Sequence, residues 1–242
     1  MEIAGKTALI TGGGSGIGAA IAVRLARAGA RVMVAGRRAE RLQATVEEIR
    51  RQGGTAEAQV ADLADPAACT ELVEQTVARF GPVDILVNNA GMLCHGRPIE
   101  AHTVEDWDRT VAVNLRAPFL LSCAVLPSMR ERRQGFILMV SSDSGIYYFQ
   151  NQAIYGLTKH GLNDLAQFIL AEYGQYNIHA VALCPGLTDT EMGLSFSPAY
   201  RERVLATDAV AAWAEWIIAQ PDNMKVGQPV VISPKRNPMR DA

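Results

Sequence analysis

Two periodicities of apolar residues alternate along the chain. Short apolar runs of about five residues, typical of buried strands, are followed by longer segments in which apolar residues recur every three or four positions, as on one face of a helix. Ile17, Ile21 and Leu25 form the first helical stripe, and Gly29 follows it as a C-terminal glycine should. The short runs predict strands over 6–11, 31–35, 56–61, 83–87, 136–141, 178–183 and 228–233.

The helical stripes lie between these strands. They predict helices that end near residues 28 and 52, a helix that begins at Asp65-Pro66, and helices over 103–130, 153–173 and 207–219. This alternation indicates an α/β fold, a doubly wound (Rossmann) parallel sheet of about seven strands with helices on both faces. Because no linker, repeat or low-complexity segment interrupts the pattern, residues 1–242 are expected to form a single domain.

The composition excludes several classes of function. A net charge of −2 and a pI near 6.1 lack the basic excess of a nucleic-acid-binding protein. No uninterrupted apolar run approaches the ~18 residues of a membrane span, so no membrane contact is expected. The first residues lack a signal-peptide pattern, which indicates a cytoplasmic protein. No metal site is expected, because ligand spacing is missing among Cys69, Cys94, Cys123, Cys184, His95, His102, His160 and His179.

A glycine-rich segment directly follows the first predicted strand. Thr11–Gly18 has the spacing G-x-x-x-G-x-G, which is neither a P-loop nor the common G-x-G-x-x-G. In a doubly wound sheet this turn meets the ligand, and its glycines let the backbone approach a pyrophosphate at the helix N-terminus. A merely tight turn could have the same composition. The segment predicts dinucleotide binding by Gly12, Gly14, Ser15, Gly16, Ile17 and Gly18.

The end of the second predicted strand bears on which dinucleotide binds. An acidic residue there would hold the two ribose hydroxyls of NAD(H) and repel a 2′-phosphate. The chain instead has Arg37 and Arg38, whose guanidinium groups match phosphate bidentately. NADP(H) is therefore predicted as the cofactor. The alternative is that both arginines simply solvate the start of a surface helix.

Tyr155 and Lys159 are the candidate chemical groups. They are four positions apart in the helix predicted over 153–173, so they share one face, and Ser142 ends an apolar strand thirteen residues before Tyr155. A neighbouring ammonium would lower the phenol pKa from roughly 10 towards neutrality, where a general acid or base works best. Taken alone, such a pair is more often an amphipathic surface feature.

Several short motifs now coincide in order and spacing: Thr11–Gly18, Asp62-Leu63, Asn88-Asn89-Ala90-Gly91, Asn114, Ser142, Tyr155, Lys159, and Pro185-Gly186 with Thr190. Together they resemble the classical short-chain dehydrogenase/reductase family, over nearly the whole chain. The C-terminal segment departs from the family pattern, because Ser233-Pro234-Lys235-Arg236 stands where an Asp-Gly-Gly tail is common.

The resemblance implies a role for each residue. Tyr155 would be the general acid or base, Lys159 would hold the nicotinamide ribose and lower the pKa of Tyr155, and Ser142 would bind the substrate oxygen. Asn114 would anchor a water in a proton relay. The remaining cofactor contacts would come from Asp62 and Leu63 at the adenine, from Asn89, Ala90 and Gly91 at the adenine-side ribose, and from Pro185, Gly186, Thr188 and Thr190 at the nicotinamide side.

The predicted function is NADP(H)-dependent hydride transfer between the nicotinamide and a small carbonyl compound or secondary alcohol. A non-catalytic NADP(H) sensor, or an epimerase, dehydratase or enoyl reductase on the same scaffold, are the alternatives. The substrate cleft is expected to be lined by Met92–His95, by Asp143–Asn151 and by a lid near 187–206. A homo-oligomer is expected, either a tetramer or a dimer.

Overall fold

The computed structural model describes residues 1–94, 96–195, 204–221, 224 and 226–234. Its strands are β1 (Thr7–Thr11), β2 (Arg31–Gly36), β3 (Thr55–Val60), β4 (Ile85–Asn88), β5 (Gly135–Val140), β6 (Ile178–Pro185) and β7 (Val230–Ile232). Its helices are α1 (Gly16–Arg27), α2 (Ala39–Arg51), α3 (Pro66–Phe80), α4 (Val104–Val111), α5 (Ala117–Arg132), α6 (Ala153–Tyr173), α7 (Glu191–Leu194) and α8 (Thr207–Ile218).

The strands form one sheet in the order β3-β2-β1-β4-β5-β6-β7, and each neighbouring pair is parallel. The chain builds outward from β1 to β3 and then returns to the other side of β1 with β4. This reversal opens a crevice at the carboxyl ends of β1 and β4, where doubly wound sheets bind their ligands. The predicted fold class and strand positions are confirmed.

Apolar residues bury both faces of the sheet. Ala8 and Ile10 pack on one side with α1, α2 and α8, whereas Leu9 packs on the other side with α3, α5 and α6. Successive residues of a strand point to opposite faces, so a strand covered on both sides is buried throughout, as β1 is, with apolar residues at its three central positions. Helices cover both faces as predicted.

The helix predicted over 103–130 differs from the expectation in one respect. It runs as α4, a π-helical turn at Ala112–Arg116 and then α5. By length and composition alone, the 29 residues Val104–Arg132 could cross a membrane, but 50% of their most apolar window is buried inside the protein. Because α5 packs against α3, β4 and β5, a position in the protein interior accounts for its apolar side chains.

Candidate active site

A cleft of about 500 Å³ opens at the carboxyl ends of the strands. Residues that follow β1 to β6 line it, so the topology brings segments distant in sequence to one place. Every residue predicted for the site lines this cleft except Gly18 and Asn114. Both of these lie directly behind lining residues and support them.

The glycine segment is tied to the loop after β4. Thr11 Oγ1 accepts the backbone N–H groups of Asn89 and Ala90, each at 3.0 Å, and Asn89 Nδ2 donates to Thr11 O at 2.9 Å. A Cβ atom at Gly18 would overlap Asn89 Nδ2 and Gly12 O, so α1 can approach this turn only with glycine there. The segment is therefore a backbone cradle at the start of α1, which fits a pyrophosphate group.

Asn114 lies in the π-helical turn between α4 and α5 and is buried. Its Oδ1 accepts the Met92 N–H at 2.8 Å, and its Nδ2 donates to Met92 O at 2.9 Å and to Thr158 Oγ1 at 3.2 Å. π-Helical turns recur at functional sites, and this one aims the amide inward. The contacts show that Asn114 fixes the loop after β4 against α6. Its expected part in a proton relay stays a prediction.

Two adjacent serines after β5 have different partners. Ser141 Oγ donates to Lys159 O at 2.9 Å and so holds the strand end against α6. Ser142 Oγ instead hydrogen-bonds Tyr155 and donates to Asp143 Oδ1 at 3.2 Å. Ser142 is thus the serine beside the phenol, at the wall of the cleft.

Tyr155 departs from the sequence-based expectation. Burial raises the pKa of its phenol to about 12; the hydrogen bond with Ser142 acts in the opposite direction, and the Asp143 carboxylate adds to the increase. Loss of hydration destabilises the phenolate more than its neighbours stabilise it. The expectation of a pKa near neutrality is therefore wrong for this arrangement, and the phenol keeps its proton at neutral pH.

The surroundings of Lys159 explain part of the difference between the expected pKa of Tyr155 and the raised one. Its Nζ donates to Val140 O at 2.9 Å and lies 5.5 Å from the centroid of the Tyr155 ring. Burial lowers the pKa of this ammonium to about 8. The charge that should stabilise the phenolate is therefore itself costly in this site, and Nζ is held by a backbone carbonyl rather than by the phenol.

The predicted phosphate-binding arginine Arg38 already binds an anion. Its guanidinium donates to Glu191 Oε2 at 2.7 Å and to Ser15 Oγ at 2.8 Å, beside the glycine cradle. Arg41, one turn further along α2, lies 3.4 Å from the same carboxylate. The geometry shows that these guanidinium groups can hold an oxyanion, so the site fits a 2′-phosphate.

Sequence reasoning missed Arg41 in the cleft; it placed Asp143 and Glu191 there but gave neither charge a role. Arg41 could have been found, because it is three positions after Arg38 and so shares its helix face. The contacts made by the Glu191 and Asp143 carboxylates could not be predicted, since local sequence pattern does not specify them. Residues 145–151 of the expected substrate cleft do not line this cavity, and Tyr148, 91% exposed, stacks on His160.

The expected lid is described only in part. Residues 187–195 include α7, and Met192 lines the cleft. Residues 196–203 of the predicted lid, His95, and the C-terminal segment 235–242 lie outside the described residues.

Three possible metal ligands meet near the cleft. Cys94 Sγ lies 3.5 Å from His102 Nδ1, which lies 3.8 Å from Asp106 Oδ2. The same Asp106 oxygen accepts the Thr103 N–H at 3.0 Å and pairs with Arg97 at 3.4 Å, which already satisfies it. The expectation that the chain binds no metal stays a prediction.

Comparisons with known proteins agree with this geometry. The sequence profile described as short chain dehydrogenase matches residues 6–200. An uncharacterized oxidoreductase of Thermotoga maritima is 40% identical over 191 residues, which cover 79% of this chain and 75% of that protein.

Two similar crystal structures contain a nicotinamide cofactor. A metagenomic short-chain oxidoreductase in complex with NADP is 32% identical with a TM-score of 0.84, covering 96% of this chain and 98% of its own. A variant of the actinorhodin polyketide ketoreductase with NADPH is 29% identical with a TM-score of 0.89, covering 97% of each chain.

Proposed function

The chain belongs to the short-chain dehydrogenase/reductase family, and we propose that it is an NADP(H)-dependent reductase of a carbonyl compound. The observation that carries this proposal is the placement of Ser142, Tyr155 and Lys159, buried together in the cleft that the glycine segment also lines. A protein that only sensed NADP(H) would have no use for a buried phenol, hydroxyl and ammonium at this point. The whole chain is proposed to act as one domain.

The cofactor would be held along the cleft. The glycine segment would take the pyrophosphate, Asp62 and Leu63 the adenine, and Asn89 to Gly91 the adjacent ribose. Lys159 would hold the nicotinamide ribose, and Pro185 to Thr190 the nicotinamide side. When bound, NADPH supplies the hydride.

The protein's own groups would supply the proton. Hydride addition to a carbonyl carbon places negative charge on its oxygen, which a hydrogen-bond donor stabilises most in the transition state. Ser142 and Tyr155 would donate to that oxygen, and Tyr155 would release its phenolic proton to it. Burial raises the pKa of Tyr155 to about 12, so at neutral pH the phenol carries the proton that carbonyl reduction requires.

The choice of NADP(H) is supported by Arg37 and Arg38 after β2 and by the two similar structures that contain NADP or NADPH. Arg38 already holds a carboxylate, as it would hold a 2′-phosphate. No carboxylate lies at the end of β2 itself, where one would repel that phosphate.

A screen of carbonyl substrates tests this proposal. The purified protein is mixed with ketones and aldehydes while NADPH absorbance is followed. We expect at least one of these compounds to be reduced, with a higher kcat/KM for NADPH than for NADH. If NADPH binds but no carbonyl consumes it, a sensor is indicated instead. Consumption with conjugated alkenes alone would indicate an enoyl reductase, and a preference for NADH would contradict the cofactor assignment.

We further propose a cytoplasmic homo-oligomer, a dimer or a tetramer. Phe119 on α5 and Leu157 and Phe168 on the neighbouring α6 are large apolar side chains that are more than half exposed, at 51%, 58% and 65%. Large apolar side chains exposed on neighbouring helices are consistent with a subunit contact.

A further inference from the structure

A carboxylate from α7 reaches the site proposed for the 2′-phosphate. Glu191 Oε2 lies 2.7 Å from one Arg38 nitrogen, and Glu191 Oε1 lies 3.4 Å from Arg41. The second terminal nitrogen of Arg38 donates to Ser15 Oγ at 2.8 Å, in the glycine segment. One carboxylate therefore bridges two guanidinium groups at the edge of the cradle.

The position of Glu191 is fixed by its backbone. Thr190, directly before it, caps α7 by accepting the Gly193 N–H at 2.9 Å. The Asp189 N–H donates to Leu205 O at 2.8 Å, which anchors the segment from the other side. These hydrogen bonds hold the backbone that carries the Glu191 carboxylate next to Arg38. The hydrogen bond with Arg38 holds the pKa of Glu191 below its usual value. Glu191 is therefore ionised at neutral pH.

We propose that Glu191 is a specificity-determining residue, an internal anion that competes with the cofactor's 2′-phosphate for Arg38 and Arg41. This inference rests on the proposed function, because it concerns the same nucleotide site. Phosphate and carboxylate seek the same guanidinium forks, so NADP(H) must exchange Glu191 for its own phosphate. NAD(H) carries no 2′-phosphate and requires no exchange.

NADP(H) can displace Glu191 from the two arginines because the ion pairs of Glu191 with Arg38 and Arg41 are weak. The Arg38 and Glu191 side chains are 53% and 59% exposed, and exposed ion pairs contribute little stability. After the exchange, however, the carboxylate stays close to a phosphate of like charge. Because this site is more than half exposed, the repulsion between carboxylate and phosphate at about 4 Å lies near the bulk-water limit of roughly 1 kcal/mol per pair of unit charges, which corresponds to an affinity change of about tenfold or somewhat less. Glu191 therefore reduces the preference for NADP(H) that the arginines create.

Replacing Glu191 with glutamine tests the inference, since glutamine keeps the shape and removes the charge. Dissociation constants are measured by fluorescence titration for NADPH and NADH, and by calorimetry for 2′,5′-ADP and 5′-ADP. In E191Q we expect about tenfold tighter binding of NADPH and 2′,5′-ADP, with NADH and 5′-ADP changed less than about twofold. In a background that carries both Arg38→Ala and Arg41→Ala the gain from E191Q should largely disappear, because both contested guanidinium groups are gone and the 2′-phosphate is no longer held beside residue 191.

Glu48→Gln is the matched control. Glu48 also pairs with an arginine, Arg51, but lies ten positions after Arg38, about 15 Å along α2 and beyond the screening length of physiological salt. This variant should bind every nucleotide like the wild type. Unchanged NADPH affinity in E191Q, or equal gains for NADPH and NADH, would overturn the role of Glu191 while leaving the proposed function intact. A wild-type protein that binds neither nucleotide would overturn both.

Discussion

Tyr155→Phe is expected to lower kcat for carbonyl reduction by about 10²- to 10⁴-fold, the usual contribution of a positioned general acid. The substitution removes one oxygen atom and its proton but keeps the ring, which packs in the buried wall of the cleft. The hydroxyl of Ser142 would remain as a hydrogen-bond donor to the substrate oxygen, but the Lys159 ammonium donates to Val140 O, so no acid aimed at that oxygen would replace the phenol. The dissociation constant for NADPH should change by less than about twofold, because the ring and Lys159 stay in place.

Steady-state kinetics and NADPH titration on the same preparation measure both quantities. Tyr148→Phe is the matched control, since it removes the same atom from a tyrosine that is 91% exposed and stacks on His160 outside the cleft. Its kcat should equal that of the wild type. A Tyr155→Phe variant that reduces the substrate at the wild-type rate would remove this phenol from the mechanism.

Lys159→Met is expected to change activity and stability in opposite directions. The activity should fall by about 10²-fold or more, because the ammonium is the cationic group next to the phenol and the proposed ribose contact. The folded protein should nevertheless become more stable by about 1 kcal/mol, because an apolar chain of similar length replaces a desolvated charge. Loss of the hydrogen bond to Val140 O offsets part of that gain.

The stability difference should depend on pH in a defined direction. The pKa of Lys159 is lowered by burial from 10.5 to about 8, so protonation favours the unfolded chain. The destabilisation by the wild-type lysine is complete below pH 8, shrinks as the pH rises towards 10.5, and is absent above it. Urea unfolding of the wild type and of Lys159→Met across this pH range measures the difference in their free energies of unfolding.

The same lysine predicts the pH dependence of catalysis. Wild-type kcat/KM for reduction should decline above about pH 8, as Lys159 loses its proton. Lys6→Met, the same substitution at a lysine hydrogen-bonded to Gln134, should leave activity unchanged. A Lys159→Met protein that is fully active, or less stable than the wild type at neutral pH, would contradict this account of the buried ammonium.

The fold could be predicted from the sequence because its signals are local. Apolar runs and stripes placed the strands and helices to within a few residues, and Asp65-Pro66 marked the start of α3, where the Asp65 side chain accepts the Ala67 N–H. The π-helical turn at Ala112–Arg116 was not predicted, because apolar spacing locates a helix but does not specify whether each turn is α- or π-helical.

The sequence predicted which residues form the site better than it predicted their pKa values. Spacing identified Tyr155 and Lys159 as neighbours, and the structure places them together. The predicted direction of the pKa shift of the phenol was wrong, because desolvation depends on what surrounds a group in space and sequence spacing does not reveal this. The pairing of Glu191 with Arg38 and Arg41 was not predicted for a similar reason, because these partners are about 150 positions away in the chain.

Transfer of deuterium from NADPH that carries deuterium at both hydrogens of nicotinamide C4, of which one is transferred, tests the central claim most directly. The labelled cofactor is incubated with the protein and a carbonyl compound that it reduces, and the alcohol is analysed by mass spectrometry. The account predicts one deuterium on the carbinol carbon, and the hydroxyl proton exchanging with solvent. An alcohol without deuterium on that carbon, or a bound cofactor that is never consumed, would contradict the proposal that this cleft catalyses hydride transfer.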